Sequence, residues 1–195
     1  MTTIHFVRHG NVHNPEGILY GRLPGFRLSE AGIAQAEAAA AALKGRPLVA
    51  IYSSPQLRAQ QTAALIARHH PGLKVRRTSL LDEVHSPHQG RPIAEMEATG
   101  WRLYENLPPG YETPQDVLAR VRRFIQRVRR AHPEGEVVAV SHGDVVLALR
   151  FWVAGVPFTD DTKNTAPLYP ATASITTLTF ADGAAIPAMA YHRPY

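Results

Sequence analysis

The sequence predicts an α/β protein, a three-layer sandwich in which a mostly parallel central sheet carries helices on both faces. Three observations predict it. Short apolar runs alternate with stretches of helical period over most of the chain, the pattern of strands joined through crossover helices. Several runs are largely apolar, "VVAV" throughout and "IHFV" at Ile4, Phe6 and Val7, as strands covered on both faces are. And 195 residues suit one domain, here 1–195, interrupted by an irregular cap segment at about 84–112.

In order along the chain, residues 3–8 read as a buried strand, followed by a loop of Gly, Pro and Asn that runs to Arg27. "SEAGIAQAEAAAAALKG" is a helix with Ser29 as N-cap and Gly45 as its stop. "LVAIYSS" is a second strand, and "SPQLRAQQTAALIARHH" a second helix with Ser54 at the cap and Pro55 at the first helical position. "KVRRTSLL" makes a third strand. Residues 84–112, rich in His, Pro and Gly, hold one short helix over 92–98. A long amphipathic helix follows, capped by Thr113, started by Pro114 and completed by Asp116 at the capping-box position. Its apolar stripe is Val117, Leu118, Val121, Phe124, Ile125 and Val128. Arg120, Arg122, Arg123, Arg127, Arg129 and Arg130 read as its solvated side rather than as a nucleic-acid face. "EVVAVSHGD" is another apolar strand, "VVLALRFWVAG" an apolar helix stopped by Gly155, and "SITTLTF" and "AMAYH" are late strands.

Composition narrows the chemistry. There is no cysteine, so disulfides, thiolate metal sites and a cysteine nucleophile are out of reach. No run of eighteen apolar residues suggests a membrane span, and the N-terminus lacks the pattern of a secretory signal. The expected compartment is the cytoplasm, with no membrane and no nucleic acid as partner. The formal charge of +5 rests on Arg far more than on Lys. Such an excess suits contact with small phosphorylated ligands, and equally it follows from the base composition of a genome.

The chemistry-bearing signal is a repeated event. "FVRHG" and "AVSHG" each end an apolar strand in His-Gly. In a parallel sheet both would emerge on the carboxyl edge, where open α/β sheets bind ligands. His9 and His142 then converge, and Gly10 and Gly143 let the backbone approach a ligand closely. Arg58, one turn into the second helix, shares that edge. Arg8, Arg58 and the two histidines form a cup suited to a tetrahedral dianion.

These residues resemble a family. Arg8-His9-Gly10 is similar to the signature of the histidine phosphatase superfamily, whose fold is called phosphoglycerate mutase-like. "YGRLPGFRLSEAGIAQA", "IYSSPQLRAQQTA", "LLDEV" and "SHGD" resemble further blocks of that family, in its order. The resemblance implies a phosphoric monoester hydrolase that needs no metal and no cofactor. His9 would be the nucleophile that forms a phosphohistidine, with Arg8, Arg58 and His142 gripping the phosphoryl oxygens. Glu83 would be the acid and base, with neighbouring Asp82 the alternative. The partner would be a small phosphorylated substrate whose identity is not legible. Oligomeric state is not legible either, a homodimer being one option.

The chain departs from the resemblance in two places. Asn11 and Val12 stand where many relatives carry Glu or Gln and then Ser or Thr, so Val12 offers the phosphate no hydroxyl. Asn14 is then the candidate amide. After Glu83 the stretch "VHSPHQGRPIAEM" is unlike that of relatives, and His85 and Arg91 are the candidate substrate contacts, with Trp101, Arg102 and Tyr104 beyond them. The rival functions are a phosphoglycerate mutase-type phosphoryl transfer and a non-catalytic module that binds phosphorylated ligands. Only 58 residues lie between Glu83 and His142, which favours a hydrolase over the mutase.

Overall fold

The computed structural model describes Met1–Tyr195. Six strands form one sheet: β1 (Thr2–Arg8), β2 (Leu48–Ser53), β3 (Val75–Arg77), β4 (Glu136–Ser141), β5 (Ile175–Phe180) and β6 (Ala188–His192). Their order is β3-β2-β4-β1-β5-β6. The first four are mutually parallel, while β5 runs antiparallel to β1 and β6 antiparallel to β5. The expectation of a mostly parallel sheet covered on both faces holds.

The two faces are built by alternation along the central strands. Ile4 and Phe6 of β1, with Val137 and Ala139 of β4, pack against α4 (Pro114–Ala131) and α5 (Gly143–Ala154). Val7, Val138 and Val140 point to the other face, against Ala39, Ala40 and Leu43 of α1 (Glu30–Leu43) and Ala59, Ala63 and Ile66 of α2 (Leu57–Ala67). Alanine dominates that second layer, so helices and sheet approach closely there. No helix of the structure is long and apolar enough to cross a membrane.

Caps fix the helix starts. Ser29 accepts from the Gly32 amide, and Thr113 with Asp116 forms the anticipated capping box. Gly155 ends α5 at φ 68°, a left-handed position that favours glycine. The short helix of the cap segment is α3 (Ile93–Ala98).

Four details differ from the sequence reading. α2 begins at Leu57 rather than at Pro55. Ser54 instead closes a turn, its Oγ accepting from the Gln56 amide at 3.3 Å while also facing Asp82 and His142. β3 ends at Arg77, because Thr78 accepts from the Leu80 amide and starts a 3₁₀ turn over Ser79–Leu81. A helix absent from the reading, α6 (Asp160–Thr165), is started by a capping box of Thr159 and Thr162. Finally, Arg120 is not on the solvated side of α4. It is buried, bonded to Glu112 at 2.6 Å and to the carbonyls of Leu80 and Glu83 at 3.0 and 3.2 Å. An arginine one turn from an apolar stripe buries its stem and charge wherever a carboxylate and free carbonyls await it.

The loop after β1 is pressed onto the start of α1. A methyl group added at Gly32 would stand 1.9 Å from the Asn11 carbonyl oxygen, and one at Gly10 2.3 Å from the Gly32 carbonyl oxygen. Both obstacles are backbone, which cannot swing aside. Gly32→Ala is therefore expected to destabilise the fold by about 3 kcal/mol or more. That lowers Tm by roughly 6 °C or more, readable by calorimetry. An unchanged Tm would contradict this packing.

Candidate active site

The sheet order brings the two His-Gly segments side by side. β1 and β4 are neighbours, with Arg8 paired to Ser141 in register. The chain beyond that pair delivers His9 and His142 together, with the His9 amide donating to the Ser141 carbonyl at 2.9 Å. Their rings lie 5.2 Å apart, centre to centre, and both are buried. β2, on the other side of β4, leads into α2 and so places Arg58 against both. The 3₁₀ turn after β3 returns the chain across the same edge and supplies Asp82 and Glu83.

Hydrogen bonds assign the tautomers. His9 Nδ1 donates to the Gly10 carbonyl at 2.8 Å, so its Nε2 carries a lone pair and accepts from Arg58 Nε at 3.2 Å. Burial, reinforced by Arg58 and then Arg8, holds His9 well below the usual histidine pKa. His142 is likewise held well below it, by burial first and then by Arg58 and His9. Its Nδ1 accepts from Arg58 at 3.1 Å and its Nε2 donates to Ser54 Oγ at 2.8 Å. Both rings are therefore neutral at pH 7. The positive charge of the cup comes from the arginines alone.

Arg58 is the hub. Its guanidinium is fully buried, stacks on Tyr20 at 4.6 Å and donates to the Gly21 carbonyl at 2.8 Å. Arg8 donates to the Pro170 carbonyl at 2.7 Å and lies 5.1 Å from the ring centre of Tyr169. Each arginine keeps one buried nitrogen without a partner, Nε of Arg8 and NH1 of Arg58. Buried donors left open in this way are costly unless a ligand completes them.

The two acids part company. Asp82 accepts from Gln56 Nε2 at 3.0 Å, from Ser54 Oγ at 3.4 Å and from the Glu83 amide at 2.9 Å. It holds the start of α2. The Glu83 carboxyl faces the cup, with Oε2 3.4 Å from His142 Nδ1 and 3.7 Å from Arg58. Burial pushes its pKa up; Arg58 opposes this in part and Asp144 adds to it.

His9, Glu83 and His142 present ligand atoms within 4.8 Å of one another, the composition of a two-histidine, one-carboxylate metal site. Arg58 donates into that same triangle, so a fixed cation already neutralises it. A divalent ion placed beside the guanidinium would meet direct repulsion.

The remaining candidates fall outside the cup. Asn14 spends both ends of its carboxamide on Ile18, donating to its carbonyl at 2.9 Å and accepting from its amide at 3.3 Å. His85 stacks on Tyr111 and faces the Gly110 carbonyl, and Arg91 pairs with Glu95 at 2.9 Å on the surface. Arg102 pairs with Glu105 and Asp161. Asn11 and Val12, the departures from the family pattern, serve the fold: Asn11 accepts from Ser29 Oγ at 2.8 Å and Val12 bridges to Leu28. Gly10 is needed for the approach of Gly32, whereas Gly143 leaves room for Tyr169 Oη, 2.4 Å from where its Cβ would be.

A cavity of about 490 Å³ opens from His9 and Glu83 beneath the cap segment. Its far side holds a cluster of which the sequence reading named only Tyr104. Asp144 accepts from Tyr104 Oη at 2.6 Å and faces Lys163 Nζ at 3.4 Å. Burial opposes the Asp144 charge, but Lys163 and the hydroxyls of Tyr104 and Tyr169 outweigh it and lower its pKa. The one sequence signal was the acid of "SHGD", two residues past the second histidine.

The profile described as histidine phosphatase superfamily (branch 1) matches residues 4–189. A Mycobacterium tuberculosis protein, Rv0525, described as uncharacterised, is 39% identical over 99% of this chain and 96% of its own length. Glucosyl-3-phosphoglycerate phosphatase of the same organism is 34% identical over 73% of this chain and 71% of its own. The structure of the mycobacterial enzyme of that name with VO3 superposes with a TM-score of 0.77 at 27% identity, over 98% of this chain and 97% of that one. The structure named mycobacterial hydrolase 1 gives 0.78 at 28% identity, over 97% and 96%.

Proposed function

The chain belongs to the histidine phosphatase superfamily, and we propose that it is a cytoplasmic, metal-independent phosphatase that hydrolyses a small phosphomonoester through a phosphohistidine on His9. One observation carries the reading: His9 Nε2 carries a lone pair held by Arg58, and Arg58 and the neighbouring Arg8 each keep a buried N–H without a partner. A phosphoryl group seated there would satisfy both donors and face the lone pair.

In the first step His9 Nε2 forms a bond to phosphorus as the ester P–O bond breaks, and the carboxyl proton of Glu83 passes to the departing alkoxide. In the second a water oxygen attacks phosphorus and gives its proton to the Glu83 carboxylate. The N–P bond then breaks and inorganic phosphate leaves. Splitting one displacement into two is the gain of covalent catalysis. Arg8 and Arg58 meet the charge that spreads over the equatorial oxygens. The mutase alternative needs a place for a second anionic group. Beyond the cup the cavity has one cation, Lys163, and Asp144 already faces it at 3.4 Å.

Release of phosphate from phenyl phosphate by the purified chain is the test, and a chelator is expected to leave the rate unchanged within twofold. Loss of activity that zinc or magnesium restores would contradict the metal-independent mechanism.

The protonation states set the pH profile. Glu83 must be protonated to start the reaction, and its pKa is raised; His9 must be unprotonated, and its pKa is lowered. kcat/KM is therefore expected to stay high between the two, falling in acid as His9 takes a proton and in base as Glu83 loses one. Glu83→Gln should lower kcat by about 10²- to 10⁴-fold and remove the basic limb. A basic limb that persists in the variant would assign it to another group.

A further inference from the structure

The leaving-group half of the cavity differs in character from the phosphoryl half. Its walls are Ile18, Leu19, Val84, Ile93, Trp101 and Leu103, joined by the rings of Tyr20, Tyr104 and Tyr169. Ser86, Asn164, Asp144 and Lys163 also line the cavity, and its one cation beyond the cup is already paired. Tyr104 Oη bonds to Asp144 at 2.6 Å, and Lys163 is buried against the same carboxylate. The arginines of the surrounding loops are also engaged: Arg22 with Glu112 and the Glu83 carbonyl, Arg91 with Glu95.

Trp101 adds an independent observation. It stands at φ 56°, a left-handed conformation that costs a bulky residue of order 1–3 kcal/mol. Its amide is held by the Met96 carbonyl at 2.8 Å, just past the end of α3, and the residue lines the cavity. Strain of this kind persists where the surroundings over-determine it, and here it sets an indole on the cavity wall.

We propose that this cavity selects phosphomonoesters of uncharged, aromatic or largely apolar alcohols, with Trp101 as a specificity-determining residue. The inference rests on the hydrolase reading above and names its substrate class. Burying an apolar leaving group against these walls is favourable in proportion to area. Burying a second carboxylate or phosphate there, with no free cation to meet it, is not. The class thus excludes phosphoglycerates and sugar bisphosphates as good substrates.

The test measures kcat/KM of the full chain on 2-naphthyl phosphate, phenyl phosphate and 3-phosphoglycerate. The expected order is naphthyl above phenyl, with both at least about 10²-fold above 3-phosphoglycerate. That factor is the scale on which pockets discriminate by buried polar mismatch and apolar contact. Trp101→Ala should cut the ratio of naphthyl to phenyl about tenfold, chiefly through KM. Ile93→Lys, which places a cation in a partly exposed wall, should narrow the gap to 3-phosphoglycerate about tenfold and keeps the test open if the tryptophan variant folds poorly. Equal or better turnover of 3-phosphoglycerate, with phenyl phosphate still hydrolysed, would overturn the substrate class and leave the hydrolase reading standing. No hydrolysis of any of the three would overturn both.

Discussion

Replacing His9 by alanine is expected to lower kcat by about 10⁴-fold or more, the range seen when a covalent nucleophile is removed. No neighbouring group can substitute. His142 is the nearest ring, but its Nδ1 accepts from Arg58 and its Nε2 is spent on Ser54. Asp82 is tied to the start of α2, and Glu83 must carry a proton. Phosphate binding should survive, because Arg8 and Arg58 remain. The variant is thus expected to bind inorganic phosphate within about tenfold of the parent while failing to turn over. A variant that kept a tenth of the activity would remove His9 from the nucleophile's place.

Arg58→Ala should give the second largest loss, about 10³-fold in kcat/KM, the upper range for losing a single donor to developing charge. The loss is large because one guanidinium touches His9, His142 and Glu83 together. It also carries a signature in pH. Arg58 is the second cause, after burial, of the low His9 pKa. Without it that pKa rises toward the ordinary histidine value, so the acidic limb of kcat/KM should move up in pH. Arg58→Lys keeps the charge but not the planar fork that reaches three partners, and should recover less than a tenth of the lost activity. An acidic limb that stays in place in Arg58→Ala would mean burial alone holds His9 neutral.

The sheet and the meeting of Arg8, His9, Arg58, Glu83 and His142 at one edge were legible because the signals are local and repeated. Apolar runs ending in His-Gly mark β1 and β4, and only parallel neighbours bring such ends together. The caps at Ser29, Thr113 and Asp116 are short-range patterns that tertiary contacts left undisturbed. The choice of Glu83 over Asp82 was less legible, since the two are adjacent and only the direction of the 3₁₀ turn separates them.

What failed to show in the sequence depends on long-range contact. Arg120 sits in a run of arginines and looks solvated, yet its carboxylate partner Glu112 and the carbonyls it satisfies come from other parts of the chain. Asn14, His85 and Arg91 lie near the motifs in sequence, but their side chains are taken up outside the cup, Asn14 and Arg91 by residues four positions on and His85 by Gly110 and Tyr111. The Asp144 cluster joins α5, the cap segment, α6 and the loop before β5. No local pattern announces four segments meeting at one carboxylate.

A phosphohistidine on His9 can be trapped directly. The chain is mixed with phenyl phosphate, quenched within milliseconds in alkali, where phosphohistidine survives, and digested for mass spectrometry. One phosphoryl group is expected, on the peptide containing His9 and absent from His9→Ala. A phosphoryl group on any other peptide, or none at all while phosphate is being released, would contradict that intermediate.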